Sequence, residues 1–260
     1  MSDKSTPYYH PVQEECRIFE HAFREKLPLL LKGPTGCGKS RLVEHMAAKL
    51  GLECLTVSCH DETSASDLLG RYLIRGNETI WQDGPLTQAV RQGSLIYLDE
   101  LAEARPDTIV ILHSLTDHRR ILYLDRHHEV LQAPASFMLV ASFNPGYQGG
   151  LKELKPSTRQ RFICVSMNYP ENNIEIEIIQ AETDLDTKRA TKLVQVGSKM
   201  RNLAELGINE GASTRLLVDA GKLMKAGLPE RLSCEVGIIE PLTDDRDIAQ
   251  ALKDLVAMVF

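Results

Sequence analysis

The chain has 260 residues, of which 43% are hydrophobic and 25% are charged, a composition that is ordinary for a folded globular protein. Its formal net charge of −6 indicates neither a nucleic-acid-binding surface nor a surface for anionic membranes. No apolar run approaches membrane-spanning length, so we expect no nucleic acid partner and no membrane insertion.

Three further compositional features narrow the class of protein. Residues 1–10 are polar and lack the apolar core of a signal peptide, so we expect a cytoplasmic protein. The six cysteines contain no C-x-x-C pair, and the eight histidines contain no H-x-x-x-H pair. The sequence therefore predicts neither a disulfide framework nor a zinc site.

The first predicted elements lead into a glycine-rich loop. Residues 14–25 carry apolar side chains on one face and predict an amphipathic helix. Residues 27–32 are an apolar run typical of a buried strand, and residues 39–50 carry apolar side chains at helical spacing. The loop between this strand and this helix is therefore placed in a strand–loop–helix unit.

The loop fits the phosphate-binding pattern G-x-x-x-x-G-K-[ST]. Its residues are Gly33, Pro34, Thr35, Gly36, Cys37, Gly38, Lys39 and Ser40. The glycines allow backbone N–H groups to face phosphates, and the helix N-terminus adds its positive dipole end. In this pattern Lys39 reaches the β- and γ-phosphates and the Ser40 hydroxyl binds Mg²⁺. The alternative, a glycine-rich turn without a ligand, is disfavoured because pattern and context agree.

The next stretch predicts short elements. Residues 53–58 read as a second strand, and residues 59–70 as a loop followed by a short helix. Residues 71–83 predict a hairpin, because two strand-like runs flank a turn-rich segment. A helix is expected over residues 86–91, after Pro85.

A second chemical stretch lies at residues 94–100, where an apolar strand ends in two carboxylates. Asp99, at the end of the strand, would hold Mg²⁺ or its water, and Glu100 would polarise the attacking water. The alternative is a strand that ends in a solvated acidic turn. The phosphate-binding loop upstream favours the functional interpretation.

A third polar position follows another strand. Residues 106–116 predict a helix, residues 119–131 a second hairpin, and residues 137–142 a strand. Asn144 comes directly after that strand, where a sheet presents groups to a ligand. A plain Asn-Pro turn is the alternative.

The remaining pattern divides the chain in two. Residues 154–160 predict a short helix that carries Arg159 and leads to Arg161, and residues 162–167 predict a fifth strand. Helical periodicity then takes over, with predicted helices over residues 174–182, 186–206, 213–226, 232–239 and 248–259. We therefore predict an α/β fold: a P-loop domain over residues 1–168 with a parallel sheet, followed by a small all-α lid over residues 169–260.

The motifs GPTGCGKS, LIYLDE, SFNP, STRQRF and STRLL, in this order, resemble those of AAA+ ATPases of the MoxR group. Within that group, the stretches YYHPVQEE, WQDGPLTQAVRQG and GASTRLL resemble the CbbQ/NirQ/NorQ subfamily. The resemblance runs over nearly the whole chain. The first two motifs specify only a P-loop ATPase, whereas DGPLT and GASTRLL are much more specific.

The resemblance implies a role for each motif residue. Residues 33–40 correspond to Walker A, and Asp99 and Glu100 to Walker B. Asn144 matches sensor 1, which orients the hydrolytic water near the γ-phosphate. Arg215 matches sensor 2, from the helical lid.

Two arginines are candidates for the arginine finger, which the resemblance implies is supplied to the ATP of a neighbouring subunit. They are Arg159 and Arg161, and the sequence does not decide between them. Without the family, each arginine reads as a surface charge or as a cation at a helix C-terminus.

The two predicted hairpins also fit the family, as the helix-2 insert (residues 71–83) and the hairpin before sensor 1 (residues 119–131). In a ring they would lie toward the pore or one face. In the alternative, Tyr72, Ile80 and Trp81 merely pack on their own domain. The chain shows no clear aromatic–hydrophobic–Gly pore loop, which disfavours threading of a polypeptide.

The resemblance implies hydrolysis of ATP to ADP and phosphate with ATP and Mg²⁺ as cofactors. It points to a Rubisco activase of the CbbQ type, which acts as a hexameric ring with a von Willebrand factor A (VWA) domain adaptor, CbbO. The alternative is a NorQ/NirQ-type activator of nitric oxide reductase, and the motifs do not separate the two. Two other classes stay open at this point: a small-molecule P-loop kinase, and a nucleotide-gated binding module without turnover.

Overall fold

The computed structural model describes residues 6–145, 154–204 and 211–260. It divides into two compact units. The first comprises Met1–Pro7, Gln13–Gly33 and Lys39–Met167, and the second Tyr8–Val12, Pro34–Gly38 and Asn168–Phe260. Within the described ranges, no helix is both long enough and apolar enough to cross a membrane.

The first unit is built on a parallel sheet of five strands in the order β2-β5-β8-β1-β9, with two separate two-stranded hairpins. The strands are β1 Leu29–Lys32, β2 Cys54–Ser58, β3 Gly70–Arg75, β4 Glu78–Asp83, β5 Leu95–Asp99, β6 Ile121–Leu124, β7 Glu129–Gln132, β8 Met138–Phe143 and β9 Ile163–Ser166. The predicted α/β class with a parallel central sheet is confirmed.

The three inner strands are buried along their length. All six residues of β8 are buried, as are Leu29–Leu31 of β1 and Leu95–Leu98 of β5. A strand covered on both faces reads as a continuous apolar run, which explains why the sequence located these strands. Polar side chains at the ends of these strands are therefore easily recognised in the sequence against the apolar run.

The helices of the first unit are α1 Glu15–Arg24, α2 Lys39–Leu50, α3 Ala65–Leu69, α4 Pro85–Gln92, α5 Pro106–Ile111 and α6 Pro156–Arg159. The prediction of a helix over residues 106–116 is wrong at its end, because α5 stops at Ile111. The Thr116 hydroxyl donates to the carbonyls of Leu112 and His113, and the Asp117 carboxylate accepts from the Arg119 backbone N–H. Such local bonds compete with helix continuation.

The two hairpins form as predicted, β3 with β4 and β6 with β7, and they pack on each other. The Trp81 indole stacks on the His127 ring with centroids 4.7 Å apart, and the Tyr72 ring meets Trp81 edge-on at 5.1 Å. Tyr72 Oη lies 3.1 Å from His127 Nδ1. Tyr72 and Trp81 therefore contact residues of their own unit, and Tyr72 and Ile80 remain 47% and 43% exposed.

The second unit is helical in its C-terminal part. Its helices are α7 Asn172–Thr183, α8 Thr187–Ala204, α9 Thr214–Lys225, α10 Glu230–Cys234, α11 Glu240–Leu242 and α12 Arg246–Ala257, with a π-helical turn at Glu235–Ile239 between α10 and α11. Residues 205–206 of the helix predicted over 186–206 lie outside the described residues. The core of this unit is apolar, with Leu193, Leu217 and Ile238 fully buried.

One buried ion pair organises the start of α9. Glu175 is fully buried, and both of its oxygens accept from the Arg201 guanidinium, at 2.9 and 2.6 Å. The Thr214 hydroxyl donates to Glu175 Oε1 at 2.6 Å, and Arg201 Nε donates to the Ala212 carbonyl at 2.7 Å. Removing one partner of such a pair generally costs about 3–5 kcal/mol. The network therefore holds α7, α8 and the first turn of α9 together.

Candidate functional site

Lys39 is the first residue of α2 and is only 7% exposed. Its Nζ donates to the Gly33 carbonyl at 2.8 Å and to Asn144 Oδ1 at 2.7 Å. A buried ammonium must be hydrogen-bonded, and here its acceptors come from the phosphate-binding loop and from the residue after β8. The structure thus brings together two of the sequence-predicted positions, Lys39 and Asn144.

The loop backbone has the conformation that the glycines were expected to allow. Gly36 and Gly38 have φ of 71° and 100°, in the left-handed region that favours glycine. A Cβ at Gly36 would lie 2.6 Å from the Ser213 side chain and 3.4 Å from Arg215 Cβ. Within the second unit, the predicted site residue Arg215 therefore lies beside the loop, and its side chain is exposed.

A further contact holds the loop. The Tyr169 hydroxyl donates to the Thr35 carbonyl at 3.0 Å, and the Arg201 guanidinium lies 4.2 Å from the centroid of the Tyr169 ring. Because Arg201 is also the partner of Glu175, the network at the start of α9 continues to the loop through Tyr169. Sequence reasoning missed Tyr169, since no motif contains it.

Asp99 ends β5, and both of its carboxylate oxygens are hydrogen-bonded. Oδ1 accepts from Tyr97 Oη at 2.7 Å and from the Ser142 hydroxyl, while Oδ2 lies 3.4 Å from Ser40 Oγ. A hydroxyl and a carboxylate are hard oxygen ligands of the kind that Mg²⁺ takes, usually with phosphates and water completing the shell. Ser40 and Asp99 therefore fit the predicted Mg²⁺ site.

No other cation site competes with this pair in the part of the chain that the structure describes, where no three His, Cys, Asp or Glu residues cluster as metal ligands. The nearby Cys59 is buried, and its N–H donates to the Asp99 carbonyl at 2.9 Å. Burial first, then the charges of Asp99 and Glu100, raise the pKa of the Cys59 thiol to about 12. The thiol therefore stays protonated at neutral pH.

Glu100 has an unusual backbone, with φ 55° and ψ 45°. For a residue other than glycine this left-handed conformation costs about 1–2 kcal/mol, and such residues cluster at functional sites. Its N–H donates to Ser142 Oγ at 3.0 Å, and its exposed carboxylate accepts from Asn144 Nδ2 at 3.2 Å. The strained turn thus aims the carboxylate at Asn144.

Asn144 connects the site. Its Oδ1 accepts from Lys39 and its Nδ2 donates to Glu100, so one amide joins the cation of the loop to the carboxylate after β5. An amide is suited to this position because it carries both a donor and an acceptor. The carboxyl ends of neighbouring parallel strands meet at one edge, which is why residues far apart in sequence converge here.

Sequence reasoning missed two buried hydroxyl groups of the site, Tyr97 and Ser142. Tyr97 is 1% exposed and Ser142 is fully buried. Tyr97 lies two residues before Asp99 and therefore shares its face of the strand. Burial chiefly raises the pKa of Tyr97, so its hydroxyl stays protonated and can donate to Asp99. The available signal was a polar side chain inside an otherwise apolar strand.

The two candidate finger arginines differ in the contacts that their side chains make. Arg161 Nη1 donates to the His113 carbonyl at 3.2 Å and lies 3.7 Å from Asp117 Oδ2. Its Nε is buried and has no hydrogen-bond partner among the described residues. Arg159, the last residue of α6, is half-buried, and over the same residues its side chain forms no hydrogen bond or ion pair.

Two family models match the chain. The model of the AAA domain (dynein-related subfamily) matches residues 28–162, and the model of the CbbQ/NirQ/NorQ C-terminal region matches residues 175–259. Together they include every predicted site residue, from Gly33 to Arg215.

Relatives match the chain over nearly its full length. It is 53% identical to protein NorQ of Paracoccus denitrificans over 254 residues, which are 98% of this chain and 94% of the relative. It is 49% identical to protein CbbQ of Hydrogenophilus thermoluteolus over 257 residues, which are 99% of this chain and 96% of the relative.

The fold is also found among solved structures. A variant of RuvB from Thermotoga maritima superposes with a TM-score of 0.59 at 16% sequence identity, over 98% of this chain and 73% of that one. At this identity the likeness concerns the fold alone.

The position of Glu100 leads to a first prediction. Glu100→Gln should retain nucleotide binding and lose at least about a hundredfold in ATP turnover, because an amide cannot accept the proton of the attacking water. Lys39→Ala should lose nucleotide binding as well. Affinity for a fluorescent nucleotide and the rate of phosphate release measure the two effects, with Glu62→Gln as a control at an exposed loop position. Near-normal turnover by Glu100→Gln would show that this carboxylate is not the base.

Proposed function

The chain belongs to the CbbQ/NirQ/NorQ family of AAA ATPases and hydrolyses ATP, and from this premise we propose that hydrolysis drives the remodelling of a client enzyme. In this proposal residues 1–168 are the ATPase core and residues 169–260 the helical lid. The observation that carries it is the chain of hydrogen bonds from Lys39 through Asn144 to Glu100. Through one amide it joins Lys39, the proposed phosphate-binding cation, to Glu100, the proposed general base.

Each of the site residues has its own role in the proposed hydrolysis of ATP. Residues 33–40 bind the phosphates of ATP, and Ser40 and Asp99 would hold Mg²⁺, which would neutralise charge on the β- and γ-phosphates. Glu100 accepts the proton of the attacking water, and Asn144 orients that water. Arg215, beside the loop, contacts the phosphates from the first turn of α9.

We further propose a hexameric ring in which an arginine of one subunit completes the site of the next. Arg159 suits this role better than Arg161, because its guanidinium has no hydrogen-bond or ion-pair partner among the described residues of its own chain. Arg161 is already engaged by His113 and Asp117. A positive charge near the transferred phosphoryl group is what an arginine finger supplies.

The first candidate for the client is Rubisco in the cytoplasm, reached through a VWA-domain adaptor of the CbbO type. Similarity to the relative named CbbQ supports this candidate. The second candidate is nitric oxide reductase, supported by the 53% identity to the relative named NorQ. Family membership argues against a small-molecule kinase, and ATP hydrolysis against a module without turnover.

The ring proposal predicts a difference between the two arginines. Arg159→Ala should slow hydrolysis on the order of a thousandfold, as loss of an arginine finger does, and leave Tm unchanged. Arg161→Ala should lower Tm, because it removes the bonds to His113 and Asp117. Mixing inactive Glu100→Gln and Arg159→Ala chains should restore some activity, since one interface then holds both intact parts. Full activity in a strict monomer would contradict the proposal.

The client proposal predicts a gain of Rubisco activity. Rubisco is inhibited with ribulose bisphosphate, and carboxylation is followed after this protein, its adaptor and ATP are added. We expect recovery that requires both proteins, with none when the Glu100→Gln variant replaces the wild type. If Rubisco stays inhibited and the same mixture activates nitric oxide reductase, the second candidate is correct. Activation of neither enzyme would contradict the remodelling function.

A further inference from the structure

Two hydroxyl groups that have no role assigned from the motifs lie beneath the carboxylates of the site. They belong to Ser142 in β8, fully buried, and Tyr97 in β5, 1% exposed. A buried hydroxyl is costly unless its hydrogen-bonding capacity is used. Both groups bond to Asp99, which ends β5, and Ser142 also bonds to Glu100, the next residue.

The Ser142 hydroxyl makes two bonds of opposite sense. Its proton is donated to Asp99 Oδ1, and its oxygen accepts the N–H of Glu100 at 3.0 Å. A hydroxyl has one proton to donate, and here it is committed to Asp99. A single side chain therefore couples the carboxylate of Asp99 to the backbone of Glu100.

The bond from the Glu100 N–H to Ser142 restrains a backbone conformation that a glutamate seldom adopts. Glu100 is left-handed, and its carboxylate meets Asn144 Nδ2 at 3.2 Å in that conformation. A strained backbone persists only where its surroundings specify it. Ser142 supplies such a restraint from the neighbouring strand, whose register pairs Leu98 with Ala141.

Among the described residues, the Tyr97 hydroxyl contacts Asp99, Ser40 and Ser142 but forms no bond with Glu100. It donates to Asp99 Oδ1 at 2.7 Å, the same oxygen that Ser142 contacts, and lies 3.3 Å from Ser40 Oγ. With Oδ1 occupied by two protein hydroxyls, Oδ2 is the oxygen presented to Ser40. Such outer hydrogen bonds orient the residues that hold a metal ion.

We propose that Ser142 is a positioning residue for both Asp99 and Glu100, and that Tyr97 is a positioning residue for Asp99 but not for Glu100. The inference rests on the proposed roles of Asp99 at Mg²⁺ and of Glu100 as the base. These two roles predict different effects for the loss of each hydroxyl, which a purely structural role would not produce. Loss of the Tyr97 hydroxyl affects metal binding, whereas loss of the Ser142 hydroxyl affects metal binding and turnover.

The test uses Tyr97→Phe and Ser142→Ala in the full chain. Mn²⁺ binding to the ADP complex is measured by electron paramagnetic resonance, and kcat is measured at saturating Mg²⁺ and ATP. We expect both variants to weaken Mn²⁺ binding about tenfold or more, as loss of an outer hydrogen bond does at metal sites. Only Ser142→Ala should also lower kcat at saturating metal, by at least about tenfold.

Two further comparisons separate positioning from loss of folding. Ser142→Thr and Ser142→Val have the same shape and differ in the hydroxyl, so kcat should be partly retained in the first and lost in the second. Ser233→Ala removes a fully buried hydroxyl that donates to the Leu228 and Pro229 carbonyls of the second unit, and it should leave Mn²⁺ affinity and kcat unchanged. These variants keep the test decisive if Ser142→Ala does not fold.

The outcomes distinguish this inference from the proposed function. If Glu100→Gln is inactive while Ser142→Ala and Tyr97→Phe match the wild type, only the positioning roles are wrong. Equal loss of kcat in Tyr97→Phe and Ser142→Ala at saturating metal would also show that the two hydroxyls do not differ in role. Normal turnover by Glu100→Gln would instead refute the role of the base, whatever the other variants do.

Discussion

The site depends on the side-by-side pairing of three parallel strands, β5, β8 and β1. Their register sets Leu98 beside Ala141 and Leu31 beside Ser142, so Asp99, Glu100, Asn144 and the loop after β1 emerge at one edge of the sheet. A slip of one residue would turn each strand's side chains to the opposite face. The apolar burial of these strands is therefore also what brings Lys39, Asn144 and Glu100 within hydrogen-bonding distance.

The buried polar groups and the strained backbone at this edge lower the stability of the fold. Lys39 is a nearly buried cation, Glu100 has a strained backbone, and Ser142 places a hydroxyl inside an apolar strand. Each cost is offset by a specific bond: Lys39 to Gly33 and Asn144, and Ser142 to Asp99 and Glu100. In the second unit, the cost of burying Glu175 is likewise offset by the bonds that it accepts from Arg201 and Thr214 at the start of α9.

Features that depend on a local sequence pattern could be predicted from the sequence. The bounds of α2 were predicted at Lys39 and Leu50, because a motif and helical periodicity coincide there. The helix predicted over residues 106–116 ended early, since side-chain bonds of Thr116 and Asp117 compete with the backbone. Ser142 was missed because its partners lie about forty positions away along the chain, in a neighbouring strand. Arg159 and Arg161 were inseparable for the same reason, since His113 and Asp117 reach Arg161 only in the folded chain.

Whether Glu100 and Asn144 act on one water in one centre is tested by a double-mutant cycle. The rate of ATP hydrolysis at saturating ATP and Mg²⁺ is measured for Glu100→Gln, Asn144→Ala and the double variant. Residues that act as a unit give strongly non-additive losses. We predict that the double variant is no more than a few-fold slower than the slower single variant. Losses that multiply, or an Asn144→Ala variant with wild-type turnover, would contradict the account.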